Sequence, residues 1–304
     1  MTLGGPRVDV GVLSWNTRPL TVASLRRLID NSPDCDLRVL VRDNASTDGS
    51  AAAIAEHVPE AELDAGDTNL GFAGGMNTLL ARSDAPWFLA LNSDAWPEPG
   101  AVAALVAAGE QHPGAAAVVP RIEQPGGALE HSTHRFPSAG LAWAAAAGNR
   151  VLGRRRARAL LLEGAWEHDE PRDVDWAVGA AMLLRRAAVD EVGGFDERYF
   201  MYVEDLEWCW RARQRGWSLR FEPAALVRHV GNASGEQAYG DRRTAEYLRN
   251  TYRFYRSTHG PLSTVGLRVA NAAGAVRLWA HGRLRGDGDM ARHWRSQLRV
   301  HLGR

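Results

Sequence analysis

Leu37-Arg-Val-Leu-Val-Arg42 runs straight into Asp43-Asn44-Ala45-Ser46-Thr47-Asp48-Gly49-Ser50. A short apolar run followed by a polar turn reads as a buried strand whose tip supplies caps for a helix over Ala51 to His57. The same grammar repeats on either side. Val8-Asp-Val-Gly-Val-Leu-Ser14 reads as a buried first strand, and Pro19 to Asn31 carries helical spacing in Leu20, Leu25, Leu28 and Ile29. Ala61-Glu-Leu-Asp64 is a weak third strand, and Asn69-Leu-Gly-Phe-Ala-Gly-Gly-Met-Asn77 opens another helix. Trp87-Phe-Leu-Ala-Leu91 is a further buried strand and ends at Asn92-Ser93-Asp94.

Strands alternating with helices imply an α/β fold, a Rossmann-like and mostly parallel sheet flanked by helices. Ligands of such sheets gather at the carboxyl ends of the strands. Here those ends carry Trp15-Asn16, Asp43-Asn44 and Asn92-Ser93-Asp94. Packing alone gives no reason for three strands to deliver polar groups to one edge.

Beyond residue 115 the pattern is less regular. Ala115 to Pro120 reads as a strand and Glu123 to Pro137 as a loop or hairpin. Residues 150–170, with Arg150, Arg154, Arg155, Arg156 and Arg158, read as a mobile insertion or connector. Val174 to Leu184 returns to strand character before a Gly193-Gly194 turn. Leu206 to Arg213 reads as a helix, a lone His229 follows a strand-like stretch, and Ala238 to Thr258 and Leu262 to Leu284 read as helices. The expected division is a catalytic domain over 1–235 and a basic helical extension over 236–304.

Composition excludes several chemistries. The 304 residues contain no lysine, all 36 basic residues being arginine, which removes a Walker phosphate loop, a pyridoxal Schiff base and a lysine nucleophile. Two distant cysteines, Cys35 and Cys209, give neither a disulfide framework nor a zinc knuckle and fit a reducing, cytoplasmic setting. The most apolar run, Gly140 to Gly148, falls far short of the roughly 20 residues that span a bilayer. Net charge is zero, but residues 242–304 hold 13 Arg against three acids. A basic tail on an acidic body suits either a solvated helical face or contact with phosphates. Tyr247, Tyr252, Phe254 and Tyr255 interleave with Arg249, Arg253 and Arg256, as on a membrane-facing surface.

Each candidate site residue has a plain structural alternative. Asn92-Ser93-Asp94 offers oxygen ligands to a hard divalent cation, and is equally an ordinary turn. Asp43, at a strand tip, suits a ribose or a base imide N–H, and equally caps a helix. The glycines after Asn69 let backbone approach a ligand closely. Glu204 and Asp205 stand among aromatics, where a carboxylate kept partly dry acts as a base; a surface pair opening a helix is the alternative. A lone His at a strand end is more often structural than a ligand.

Taken together, Leu13-Ser-Trp-Asn16, Asp43 to Ser50, Asn69 to Asn77, Asn92-Ser-Asp94, Gly193-Gly-Phe-Asp-Glu-Arg-Tyr-Phe-Met-Tyr-Val-Glu-Asp205 and the late His229 resemble the family 2 glycosyltransferases, which have the GT-A fold. The likeness covers about residues 8–235. Within the family it leans toward bacterial rhamnosyltransferases acting on prenyl-diphosphate-linked sugars. The resemblance implies inverting, metal-dependent transfer from a dTDP- or UDP-linked sugar, such as one carrying L-rhamnose or another hexose. It implies that Asp205 is the base, supported by Glu204, and that Asp94 and His229 hold Mg²⁺ or Mn²⁺. Asn92, where the usual motif has Asp, would act through water. Asn16, Asp43, Asn44, Asn69, Gly71, Asn77, Asn92 and Ser93 would bind the nucleotide sugar, and Trp208 would line the acceptor side. The acceptor implied is a polyprenyl-diphosphate-linked glycan of cell-wall or polysaccharide synthesis, met by a peripheral enzyme on the inner membrane face, with no nucleic-acid partner. Competing readings are a soluble natural-product acceptor, a sugar nucleotidylyltransferase, and a non-catalytic nucleotide-sugar-binding module.

Overall fold

The computed structural model describes residues 5–163, 165–231 and 242–303. It divides into two compact units, one of Met1–Thr133 with His168–Gln237, the other of His134–Glu167 with Ala238–Arg304. The expected boundary at 235/236 lies outside the described residues. The division also differs from expectation in assigning His134–Glu167 to the second unit.

In the first unit the strands and helices alternate in the expected order. β1 (Arg7–Ser14), α1 (Arg18–Asp30), β2 (Asp36–Asn44), α2 (Ser50–His57), β3 (Glu62–Gly66), α3 (Gly71–Leu80) and β4 (Trp87–Asn92) follow one another. β1 pairs in parallel with β2 and β4, and β2 with β3. Their valine-rich faces meet Leu25 and Leu28 of α1 and Ile54 of α2 in one buried cluster, the main source of stability for such a layer. Register sets Leu13 opposite Asn92 and Ser14 opposite Asp43, so the carboxyl ends of β1, β2 and β4 lie level.

The sheet turns mixed beyond β4. After β5 (Ala95–Pro97), α4 (Ala101–Gln111) and β6 (Ala115–Glu123) come the short strands β7 (Thr133–His134), β8 (Arg172–Val174) and β9 (Trp176–Ala177). β10 (Ala181–Arg185) then enters antiparallel to both β4 and β6. The stretch of strand character over Val174 to Leu184 is thus three strands with different partners: β8 pairs with β11, β9 with β7, and β10 with β4 and β6. α8 (Arg186–Val192) and α9 (Glu204–Gln214) precede β11 (Ser218–His229), which runs parallel to β6 and antiparallel to β5 and β8. The strand order is β3-β2-β1-β4-β10-β6-β11-β5.

The second unit is helical. α5 (Ala139–Ala147), α6 (Asn149–Leu152) and α7 (Arg154–Ala159) precede α10 (Arg243–Leu284) and α11 (Gly288–His301). Within residues 150–170, expected as a mobile insertion or connector, the chain forms the short helices α6 and α7 and a small buried cluster of Ala157, Leu162 and Ala165. α10 joins the two expected helices across Gly260, at φ 82°, and Pro261. α11 continues the helical extension expected over 236–304, and Asp287 caps it by accepting from the Met290 N–H at 2.9 Å.

Candidate active site

The paired register of β5 and β11 builds the first half of the site. His229 lies opposite Ala95, so the residue before β5, Asp94, meets the last residue of β11. Asp94 Oδ1 is 3.3 Å from His229 Nε2, with both side chains only 7% exposed. Asn92 Nδ2 lies 3.3 Å from the same nitrogen. The far side of the ring, Nδ1, is 2.9 Å from Glu130 Oε2. Burial works against the imidazolium, but the hydrogen bonds and charges of Asp94 and Glu130 outweigh it and raise its pKa to about 9.

Glu130 had no signal in the sequence: it lies in an irregular hairpin and reaches His229 only through tertiary structure. A carboxylate on the second nitrogen of an imidazole is a common way to orient a metal-ligating histidine. The donor set at the near nitrogen, one carboxylate oxygen and one imidazole, fits a small divalent cation such as Mg²⁺ or Mn²⁺. Among the described residues no group of three His, Cys, Asp or Glu gathers around one point. Asp94 and His229 alone would leave most positions of such a cation open.

The second half of the site rides on the start of α9. Tyr202 and Val203 both adopt left-handed backbone, φ 71° and 81°. For a β-branched residue such as Val203 that conformation is strained, a cost of order 1–3 kcal/mol. The strained pair aims Glu204 and Asp205 inward. Asp205 Oδ2 accepts from the Gly179 N–H at 2.9 Å, and Oδ1 from the Leu206 N–H at 2.7 Å. Gly179 lies just before β10, where the Ala180 carbonyl accepts from the Asn92 N–H. Asp205 is therefore anchored at the same sheet edge as Asn92.

Burial and the absence of a cationic neighbour in the pair set its electrostatics. Glu204 is buried, with Oε2 lacking a hydrogen bond among the described residues. Desolvation, then the Asp205 charge, pushes Glu204 well above the usual carboxylate range. Desolvation lifts Asp205 to about 6 against the pull of its backbone N–H donors. The two carboxyls repel each other's charge, so the pair releases its protons in two separate steps.

Asp43 is the third element. Its Oδ1 accepts from the Ser46 N–H at 2.8 Å, while the buried Oδ2 has no hydrogen-bond partner among the described residues. A buried carboxylate oxygen left open at a strand end is what an incoming N–H or O–H donor would satisfy. Asn16, at φ 52°, ties the β1 and β2 tips together: its N–H donates to Ser46 Oγ and its Oδ1 accepts from the Thr47 N–H. Ser93 is buried against Thr17, Oγ to Oγ1 at 3.2 Å.

Other residues expected at the nucleotide brace the surrounding loops. Asn44 Nδ2 donates to the Gly71 carbonyl, and Asn69 Oδ1 accepts from the Gly71 N–H. Gly71 sits at φ 71°, and a Cβ there would lie 2.2 Å from the Phe200 carbonyl oxygen, which accepts from the Phe72 N–H. Asn77 clamps Phe195 from both sides: Nδ2 donates to its carbonyl and Oδ1 accepts from its N–H. A Cβ on Gly194 would fall 2.4 Å from that Oδ1. Trp208, expected on the acceptor side, is 0% exposed, and its indole N–H donates to the Gly193 carbonyl at 2.9 Å, so the inner face of α9 holds down the turn that ends α8.

The sequence pattern of "Glycosyl transferase family 2" matches residues 9–193, more than half of the chain. This chain belongs to glycosyl transferase family 2. The glycosyltransferase is 30% identical over 278 residues, 88% of its own chain and 89% of the other, to N-acetylglucosaminyl-diphospho-decaprenol L-rhamnosyltransferase of Mycobacterium tuberculosis. It is 33% identical over 81 residues, 27% of its chain and 30% of the other, to the rhamnosyltransferase WbbL of Escherichia coli. Its fold resembles the mannosyltransferase PcManGT of Pyrobaculum calidifontis, in complex with GDP-Man and Mn²⁺. The TM-score is 0.58 at 18% identity, covering 99% of this chain and 85% of that one. It also resembles GalNAc-T7 with UDP, GalNAc and Mn²⁺, with TM-score 0.57 at 15% identity, covering 83% of this chain and 51% of that one. The fold is thus of the GT-A type. The family match ends before Glu204, so the roles of Glu204, Asp205 and His229 rest on geometry.

Proposed function

We propose that this family 2 enzyme transfers a deoxyhexose such as L-rhamnose, with inversion, from a dTDP- or UDP-linked donor to a hydroxyl of a prenyl-diphosphate-linked sugar. The observation that carries the reaction type is Asp205: a carboxylate with a pKa near neutrality, fixed by two backbone N–H groups at the edge where the strand ends converge. A base poised near working pH combines the right protonation state with useful proton affinity. Burial pushes Glu204 toward its protonated form, which lessens the negative charge beside Asp205 and favours Asp205 as the group that takes the acceptor proton.

Asp43 meets the nucleobase or ribose through its open oxygen, with Asn16 and Ser46 keeping its loop in place. Asp94 and His229 would hold Mg²⁺ or Mn²⁺, and Glu130 would fix the imidazole. When bound, such a cation neutralises charge on the diphosphate leaving group. Attack opposite the leaving group needs only one base and no enzymic nucleophile. Both cysteines fit that scheme, since burial raises Cys35 to about 11 and holds Cys209 still higher. The similar mycobacterial enzyme supplies the acceptor class, and the arginine-rich helical unit is consistent with peripheral membrane contact. No described helix is long and apolar enough to cross a membrane.

The test is transfer from a panel of nucleotide sugars to a short-prenyl diphospho-N-acetylglucosamine, with Mg²⁺ or Mn²⁺ and with chelator. Expected is one product with inverted anomeric configuration from a deoxyhexose donor, lost on chelation. Retained configuration would remove the single-base mechanism, and turnover only with other acceptors would overturn the substrate assignment.

A further inference from the structure

The second unit carries an apolar face that its own packing leaves open. Beyond the break at Gly260 and Pro261, α10 buries Leu267, Ala270 and Ala275. On the opposite side stand Leu262, Val265, Val269, Val276 and Trp279, spaced by three, four, seven and three residues, which is one face of a helix. Leu262 is 87% exposed, Val265 58% and Val269 54%. The intervening positions on that face, Ala272, Ala273 and Ala280, are also apolar. A helix apolar on two opposite sides has one side too many for a water-bathed bundle. Trp143 of α5, the helix packed against α10, is also half exposed.

Charge identifies the occupant. The second unit holds 19 Arg against six acids, a net +13, while the first unit carries −13. Arg283 and Arg285 are exposed at the end of α10, and Arg154, Arg155 and Arg156 are exposed on α7. Two copies meeting face to face would bring two +13 surfaces together, an arrangement opposed by repulsion. An anionic lipid surface reverses that sign, accepts valine and leucine below its headgroups, and suits tryptophan at the interface.

We propose that the outer face of α10, Leu262 to Trp279, seats this enzyme on an anionic phospholipid bilayer by shallow insertion, with the surrounding arginines on the headgroups. This deepens the lipid-linked-acceptor reading and rests on it for its biological purpose. It adds that contact is made by a defined apolar face and not by net charge alone.

The test uses the full chain and vesicles of phosphatidylcholine with phosphatidylglycerol, without donor or acceptor, so failure of the proposed transfer reaction leaves its readout intact. Expected are co-sedimentation with these vesicles and quenching of tryptophan emission by brominated acyl chains, with the quenched fraction reduced in Trp279→Phe. The triple variant Val265→Ser, Val269→Ser, Val276→Ser should partition at least about tenfold more weakly. That variant should keep wild-type turnover of a water-soluble short-prenyl acceptor. Binding by the triple variant equal to wild type, or wild-type binding without acyl-chain quenching, overturns insertion. A stable dimer in sedimentation that the triple variant dissolves would assign the face to a second copy instead.

Discussion

Asp94 and Asp205 are both acids at the carboxyl end of one sheet, and their neighbours give them opposite tasks. Asp94 faces an imidazole that is itself backed by Glu130, so the group offers charge and donor atoms to an electrophile. Asp205 adjoins a second carboxyl, Glu204, and among the described residues backbone N–H groups stabilise its anion against desolvation, which raises its pKa to about 6. Two carboxylates differ in chemistry because one is given a cationic neighbour and the other a buried acid.

The largest test of that contrast is Asp205→Asn. It should lower kcat by about 10³-fold, within the usual range for loss of a general base, while donor affinity measured calorimetrically stays near wild type. A wild-type rate would end the assignment of Asp205 as base. Next in size is Glu130→Gln, which touches only the far ring nitrogen of His229. It should weaken the apparent affinity for activating Mn²⁺ by roughly 10- to 100-fold, with saturated kcat less affected. If kcat fell and metal affinity did not, Glu130 would belong with the base and the two-site division would be lost.

The pH profile separates the sites further. Because the Asp205 pKa is raised to about 6, kcat should fall roughly tenfold per unit below that value and level off above it. The smallest effect is on stability. A folded pKa raised above the unfolded value means that folding favours the protonated acid. The Asp205 contribution is intact below about pH 4 and is lost as pH rises through about 6. Asp205→Asn should therefore raise the melting temperature at pH 8 and give no gain at pH 4. Equal shifts at both pH values would show that relief of charge is not the cause.

Local pattern was enough to read the first half of the fold. Valine-rich runs ending in Asn16, Asp43 and Asn92 specify parallel strands and the edge where their tips meet, because periodicity and turn chemistry are local properties. The meeting of Asp94 with His229 was legible as two separate residues, while their approach depends on the pairing of β5 with β11. Glu130 and Gly179 were invisible, since neither stands in a motif and each acts through a contact far along the chain. Trp208, expected on the acceptor side, is buried: only about half a helix turn, roughly two residues, separates a solvent-facing position from a core one, and the sequence near Glu204 is aromatic on both sides. In the glycine-rich stretch, Asn69, Gly71 and Asn77 hold backbone, a use that composition does not distinguish from ligand binding.

The close approach of Gly71 to Phe200 bears on how such an enzyme could be rebuilt. The loop from Phe195 to Asp205 enters the fold by fitting against Gly71 and by threading the amide of Asn77. Exchanging that loop for a relative's, in order to change which hydroxyl is presented to the base, would transplant only half of a joint. Its other half lies more than a hundred residues earlier, so the smallest portable cassette is discontinuous. A chimera that carries both pieces would keep its base in register, whereas one that carries the loop alone would leave the strained turn before Glu204 without its seat.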